Sequence, residues 1–178
     1  MNAVFEKQNS LNSMICESII ELFQEQDTNK LYNIPKNSKE WERIERTLYK
    51  ELLTGLNEYK MNLMKNINLH NELVSLLNNE LYTKHICIQK IDIGENIINK
   101  YNLIPNRYNV LTYIFYLNDV VNGGEVVFSN TDYQTIKPKK GKLVLFPENV
   151  NSFHYKCLPP NTNTQYIISG QLCCDNIV

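Results

Sequence analysis

Tyr113-Ile114-Phe115-Tyr116-Leu117-Asn118-Asp119, a short gap, then Gly123-Gly124-Glu125 and Phe128 is the stretch that decides the fold. Residues 110–117 are an apolar run rich in β-branched and aromatic side chains, which predicts a buried strand. Asn118-Asp119 and Gly123-Gly124 are turn signals, and residues 125–128 form a second short strand. Working outward, residues 133–136, 142–146, 152–155 and 165–172 read as further short strands, and residues 85–92 as one upstream. Ser129-Asn130, residues 138–141, Pro147 and Pro159-Pro160 separate them. Many short strands at close spacing indicate a sandwich or barrel rather than a parallel sheet with crossover helices.

Ahead of residue 82 the period changes to that of a helix. In residues 10–24, Leu11, Met14, Ile15, Ile19, Leu22 and Phe23 recur at helical spacing. Residues 27–36 are polar, contain Pro35 and read as a loop. Asn37 or Ser38 can cap a second helix, with Glu40 and Glu42 in its first turn and Trp41, Ile44, Leu48, Leu52 and Leu56 on its apolar face. A third helix is predicted over residues 58–81. These stripes are core faces that pack on a sheet. The whole is one α+β domain, residues 1–178, with a helical buttress (1–81) against a β-roll (82–178).

The 178 residues are 43% hydrophobic and 21% charged, with net charge −1. That balance gives no electrostatic case for nucleic acid or an anionic membrane surface. No apolar run approaches the roughly 20 residues of a membrane span, and no secretory leader is visible, so a cytoplasmic location is expected. The cysteines (Cys16, Cys87, Cys157, Cys173 and Cys174) are odd in number with no Cys-x-x-Cys pair, and read as reduced structural thiols. The abundance of Asn, Ile, Lys and Tyr suggests an AT-rich genome, such as that of a protist or a large DNA virus.

Several segments together resemble the prolyl-4-hydroxylase-like 2-oxoglutarate/Fe(II) dioxygenases. The Tyr-Leu-Asn-Asp…Gly-Gly-Glu…Phe pattern is similar to that family's signature. Residues 136–146, Ile-Lys-Pro-Lys-Lys-Gly-Lys-Leu-Val-Leu-Phe, are similar to its turn-and-strand segment. Gly94, His154, Cys157, Pro159 and residues 165–168 fall in order at near-family spacing, so the resemblance spans roughly residues 82–175. It implies a double-stranded β-helix (jelly-roll, cupin-like) with the N-terminal helices packed on one sheet.

The resemblance also implies what the site requires. Iron(II) is held by two histidines and a carboxylate on one face, and a basic residue pairs with the far carboxylate of 2-oxoglutarate. Counting from both Gly94 and Tyr116-Leu117-Asn118, the His-x-Asp slot falls on Lys100-Tyr101-Asn102. An ammonium has no lone pair to ligate a metal, and Asn102 offers only a neutral carbonyl. The basic anchor falls on Gln165, and Ile91 stands where many relatives have tyrosine. Tyr116, as a 2-oxoglutarate-equivalent position, and His154, as the surviving metal-ligand position, remain. His70 and His85 read as packed or surface residues, Asp92 and Glu95 as solvated turn residues, and Glu125 as structural.

The leading expectation is a pseudoenzyme with no cofactor that acts by binding protein, with a prolyl hydroxylase or its substrate as the natural partner, and with Lys100 paired to an acceptor near the vacated metal position. The alternative is an active Fe(II)/2-oxoglutarate dioxygenase that hydroxylates a prolyl residue, using another ligand set. A third reading is a metal-free sensor holding an anionic metabolite through Lys100.

Overall fold

The computed structural model describes residues 3–26, 28, 30–35, 38–65, 67–83, 86–97, 107–129, 134–148 and 154–175, the side chains of 67–70 and 107 excepted. Its strands are β1 (Phe5–Lys7), β2 (Leu31–Asn33), β3 (Tyr82–Thr83), β4 (Cys87–Ile91), β5 (Arg107–Tyr116), β6 (Val126–Phe128), β7 (Gln134–Ile136), β8 (Leu143–Pro147), β9 (Tyr155–Cys157) and β10 (Gln165–Asp175). A major antiparallel sheet runs β1-β8-β5-β10-β4-β2, with β3 also on β10, and a minor sheet runs β7-β6-β9. This is the expected double-sheet roll.

Strand period places the two cores. Side chains alternate across a strand, so Tyr113 and Phe115 of β5, Leu143 and Leu145 of β8 and Ile168 of β10 face the helices. Ile114 and Tyr116, Val144 and Phe146, and Ile167 face the minor sheet and close a second cluster with Val126, Phe128 and Ile136. Phe146 packs on Phe128 and Tyr155 with ring centroids 5.1 and 4.7 Å away, which joins the two sheets.

The helices are α1 (Ser13–Gln24), α2 (Glu42–Met64) and α3 (Ile67–Leu77). Asn12 caps α1, its side chain accepting from the Ile15 amide at 2.9 Å. The predicted face of α2 is buried, from Trp41 through Ile44, Leu48, Leu52 and Leu56. At Gly55 an added Cβ would lie 2.5 Å from Leu143 Cδ2, so α2 lies tight against β8.

Four expectations need correction. The second helix does not stop near residue 57, because Tyr59 and Leu63 extend the Leu52–Leu56 stripe; the break falls after Met64, and α3 ends at Leu77 rather than 81. Its N-cap is Trp41, with no side-chain cap bond; Ser38 contributes only its carbonyl, which accepts the Trp41 amide at 3.1 Å, and Asn37 lies outside the described residues. The predicted loop over 27–36 contains β2, which forms by pairing Leu31 with Gln89 and Tyr32 with Ile88. The strand expected over 152–155, of which 152 and 153 lie outside the described residues, runs on to Cys157 and pairs over Tyr155–Cys157.

Candidate functional site

Tyr116 ends β5 and Gln165 begins β10, and both side chains enter the space between the sheets. Tyr116 pairs with Ile167 and Gln165 with Ile91, so Tyr116 and Gln165 are diagonal neighbours on one face. The signature residues hold them there. Asn118 accepts the Tyr166 amide at 2.7 Å and donates to the Thr164 carbonyl at 2.8 Å, tying the end of β5 to the start of β10. Asp119 accepts the Lys140 amide at 2.7 Å and the Lys139 ammonium at 3.1 Å. The Lys140 amide, ahead of the Lys139 and Lys140 charges, holds its carboxyl below the usual range.

Gly123 and Gly124 turn with φ of +82° and +74°, a region costly for side chains with a Cβ. Gly124 donates to the Pro159 carbonyl at 3.0 Å. Its own carbonyl accepts from Gln165 Nε2 at 3.0 Å. A Cβ at Gly124 would lie 3.0 Å from both Nε2 and Oε1 of that amide. The Gly-Gly turn thus exists partly to let Gln165 approach.

Both interior polar groups are uncharged. Gln165 is 0% and Tyr116 1% exposed. Gln165 Oε1 and Tyr116 Oη are buried without a hydrogen-bond partner. Burial, then Cys157, Glu6 and Glu125, pushes the Tyr116 phenol well above its usual range. Burial also raises the Cys157 thiol to about 11, so it stays protonated at neutral pH. The buried ammonium of Lys142 is committed to Glu6 Oε2 at 2.8 Å and the Lys137 carbonyl at 2.9 Å.

His154 lies just ahead of β9 with an exposed side chain, and its carbonyl accepts the Ser129 amide at 3.0 Å. Lys100, Tyr101, Asn102 and His85 lie outside the described residues. Among the described residues no group of three or more His, Cys, Asp or Glu side chains could hold a metal ion. Asp92 and Glu95 are not merely solvated: Asp92 meets Thr164 Oγ1 at 3.2 Å and Lys90 at 3.3 Å, and Glu95 pairs with Lys30.

A feature missed in the sequence is a polar group nearer the other end of the same sheet. Gln171 and Thr112 donate to Glu148, whose carboxyl is raised by burial despite those bonds. Gln89 donates to Ser169 at 3.0 Å.

A profile of the 2OG-Fe(II) oxygenase superfamily matches residues 92–170, the span from just after β4 into β10. Over these residues the chain is similar to that superfamily. No curated protein sequence matches the chain. Solved structures share the fold of nearly the whole chain. The viral collagen prolyl hydroxylase of Paramecium Bursaria Chlorella virus-1, in its 2OG complex, aligns over 97% of each chain at 15% identity and TM-score 0.67. A Pseudomonas putida prolyl-4-hydroxylase aligns over 97% of this chain and 92% of its own at 11% identity and TM-score 0.63. A Trichoplax adhaerens prolyl hydroxylase, in complex with a hypoxia inducible factor peptide fragment, aligns over 97% and 84% at 14% identity and TM-score 0.64. The helical half therefore belongs to the shared architecture, although the sequence resemblance lies in the β half.

The superfamily normally uses Fe(II) and 2-oxoglutarate. At the position where the resemblance places the basic anchor for the far carboxylate of 2-oxoglutarate, Gln165 carries no charge to neutralise it; one of its two N–H groups donates to the Gly124 carbonyl, and its Oε1 is without a partner.

Proposed function

We propose that this oxygenase-superfamily protein has lost the iron and 2-oxoglutarate chemistry of its fold and works by binding protein, inside the cell. The observation that carries this reading is Gln165, a fully buried neutral amide turned so that a carbonyl oxygen faces the interior. Lys100 and Asn102 support it, since neither side chain type replaces an imidazole or a carboxylate around iron(II). The described surface also carries apolar side chains that a partner could cover. Met14 is 73% exposed at a groove of about 360 Å³ between α1 and the start of α2, which is also lined by Leu22, Glu40 and Arg43. Among the described residues no helix is long and apolar enough to cross a membrane.

The test is metal analysis of the purified protein after iron(II) is added back, with 2-oxoglutarate consumption followed in the same sample. The expected result is sub-stoichiometric iron and no turnover. One iron per chain with 2-oxoglutarate decarboxylation returns the chain to the working dioxygenases, and a prolyl peptide would then be the substrate to try.

A further inference from the structure

The groove between α1 and the start of α2 combines room, an apolar floor and unpaired charge. It is about 360 Å³ in volume, and Ile15, Leu22 and Ile44 line it together with Ser18, Glu40 and Arg43. From Asn12 to Leu22 it follows α1 for about 15 Å, the rise of about ten helical residues. Charge distinguishes its two edges. Glu21 stands one turn past Ser18 and Glu25 one turn past Leu22, so both carboxylates follow the α1 edge, and both are exposed. Among the described residues neither has an ion-pair partner, whereas Glu17 on the same helix is taken by Lys140 at 3.0 Å. No basic residue stands in the last turn of α1. Glu21 and Glu25 therefore add negative charge at the helix end that is already negative, an arrangement that works against the helix. A cation from outside the chain relieves it. Glu40 and Arg43 on the α2 edge are also without ion pairs among the described residues, so that edge is mixed where the α1 edge is acidic. An anionic lipid surface would meet the α1 edge as like charge.

We propose that this groove seats a short amphipathic helix of a partner protein, apolar on the face turned to Ile15, Leu22 and Ile44 and basic along the edge that meets Glu21 and Glu25. Helices that lie in such grooves anchor through side chains at i, i+3 or i+4 and i+7, and lysines or arginines beside those anchors complement the α1 edge. This rests on the reading that the protein works by binding protein, and it gives that reading a place and a partner chemistry.

Fluorescence anisotropy with the intact protein at pH 7 tests it, using two labelled peptides of about ten residues. Each is held helical by a hydrocarbon staple and carries leucines at i, i+3 and i+7; one has lysines beside the leucines and the other has glutamates. The lysine peptide should bind at least about tenfold tighter, since like charges facing each other across an interface are strongly penalised. Met14→Gln, at a side chain 73% exposed on the groove, should weaken the lysine peptide about fivefold, because apolar area that the peptide covers is lost. The double substitution Glu21→Lys and Glu25→Lys should reverse the order of the two peptides without lowering the melting temperature, because lysines suit that end of α1. Equal binding, tighter binding of the glutamate peptide, no binding by either, or a lysine peptide that binds both variants as it binds the native protein overturns the docking site. None of these outcomes touches the functional reading, which falls instead to iron-dependent turnover of 2-oxoglutarate.

Discussion

Replacing Gly124 by alanine probes the contact on which the site depends. Two costs add. Gly124 has φ of +74°, and a residue with a Cβ held in the left-handed region loses about 1–2 kcal/mol. The new methyl would also lie 3.0 Å from Nε2 and Oε1 and 3.1 Å from Cδ of Gln165. The amide must then move away from the Gly124 carbonyl, and leaving a buried donor and acceptor without partners costs about 1–3 kcal/mol. The sum is about 2–5 kcal/mol. Gly94→Ala is the control: its φ is +80° but nothing lies within 4 Å of the added carbon, so only the backbone share of about 1–2 kcal/mol applies. Urea unfolding at pH 7 of both variants, each also made in a Gln165→Ala background, separates the shares as a double-mutant cycle. In that background Gly124→Ala should cost no more than Gly94→Ala does. If the two glycine variants are equally destabilised in the native background, the Gly124–Gln165 contact carries no energy and the reasoning fails.

Two carboxylates should respond to pH in opposite directions. Burial raises the Glu148 carboxyl, so its neutral form stabilises the fold below the unfolded value, and that contribution disappears as pH rises through the folded value. Glu148→Gln should raise the urea midpoint at pH 7 and leave it nearly unchanged at pH 4; a lower midpoint at pH 7 would refute this. Asp119 is depressed by the Lys140 amide, so its contribution is present above the unfolded value and lost as pH falls through the folded one. Asp119→Ala should lose about 1 kcal/mol at pH 7, the usual net worth of such a bond, and the difference from the native protein should vanish near pH 2. Lys142→Met should also destabilise, because it leaves Glu6 half-buried without its cation and the Lys137 carbonyl without a donor; thermal melting at pH 7 checks it, and an unchanged midpoint would mean that the pair contributes nothing.

The strands that were legible in the sequence carry their own signal. β5, β8 and β10 are apolar enough to be buried on both faces, and turn residues bound them. β1, β2 and β3 were not legible, since each is two or three residues long and exists only because a neighbour offers an edge: Phe5 beside Leu145, Leu31 beside Gln89, Tyr82 beside Cys173. The α2–α3 break was misplaced because the apolar stripe passes through residue 57 without interruption. At the site, sequence could show that Gln165 is not basic. It could not show which end of the amide faces inward, because that depends on a carbonyl forty-one residues away. The Asn118-Asp119 pair was visible as a motif, but its work of stitching β5 to β10 and to the Lys139-Lys140 turn appears only in three dimensions. Glu148 was passed over because its partners Thr112 and Gln171 lie on two other strands.

The major sheet is a wall shared by two rooms. Leu143, Leu145 and Ile168 anchor it to the helices behind, while Val144, Phe146 and Ile167 furnish the chamber in front. Because the rear anchorage is independent of whatever the chamber holds, its furnishings can be exchanged without bringing the wall down.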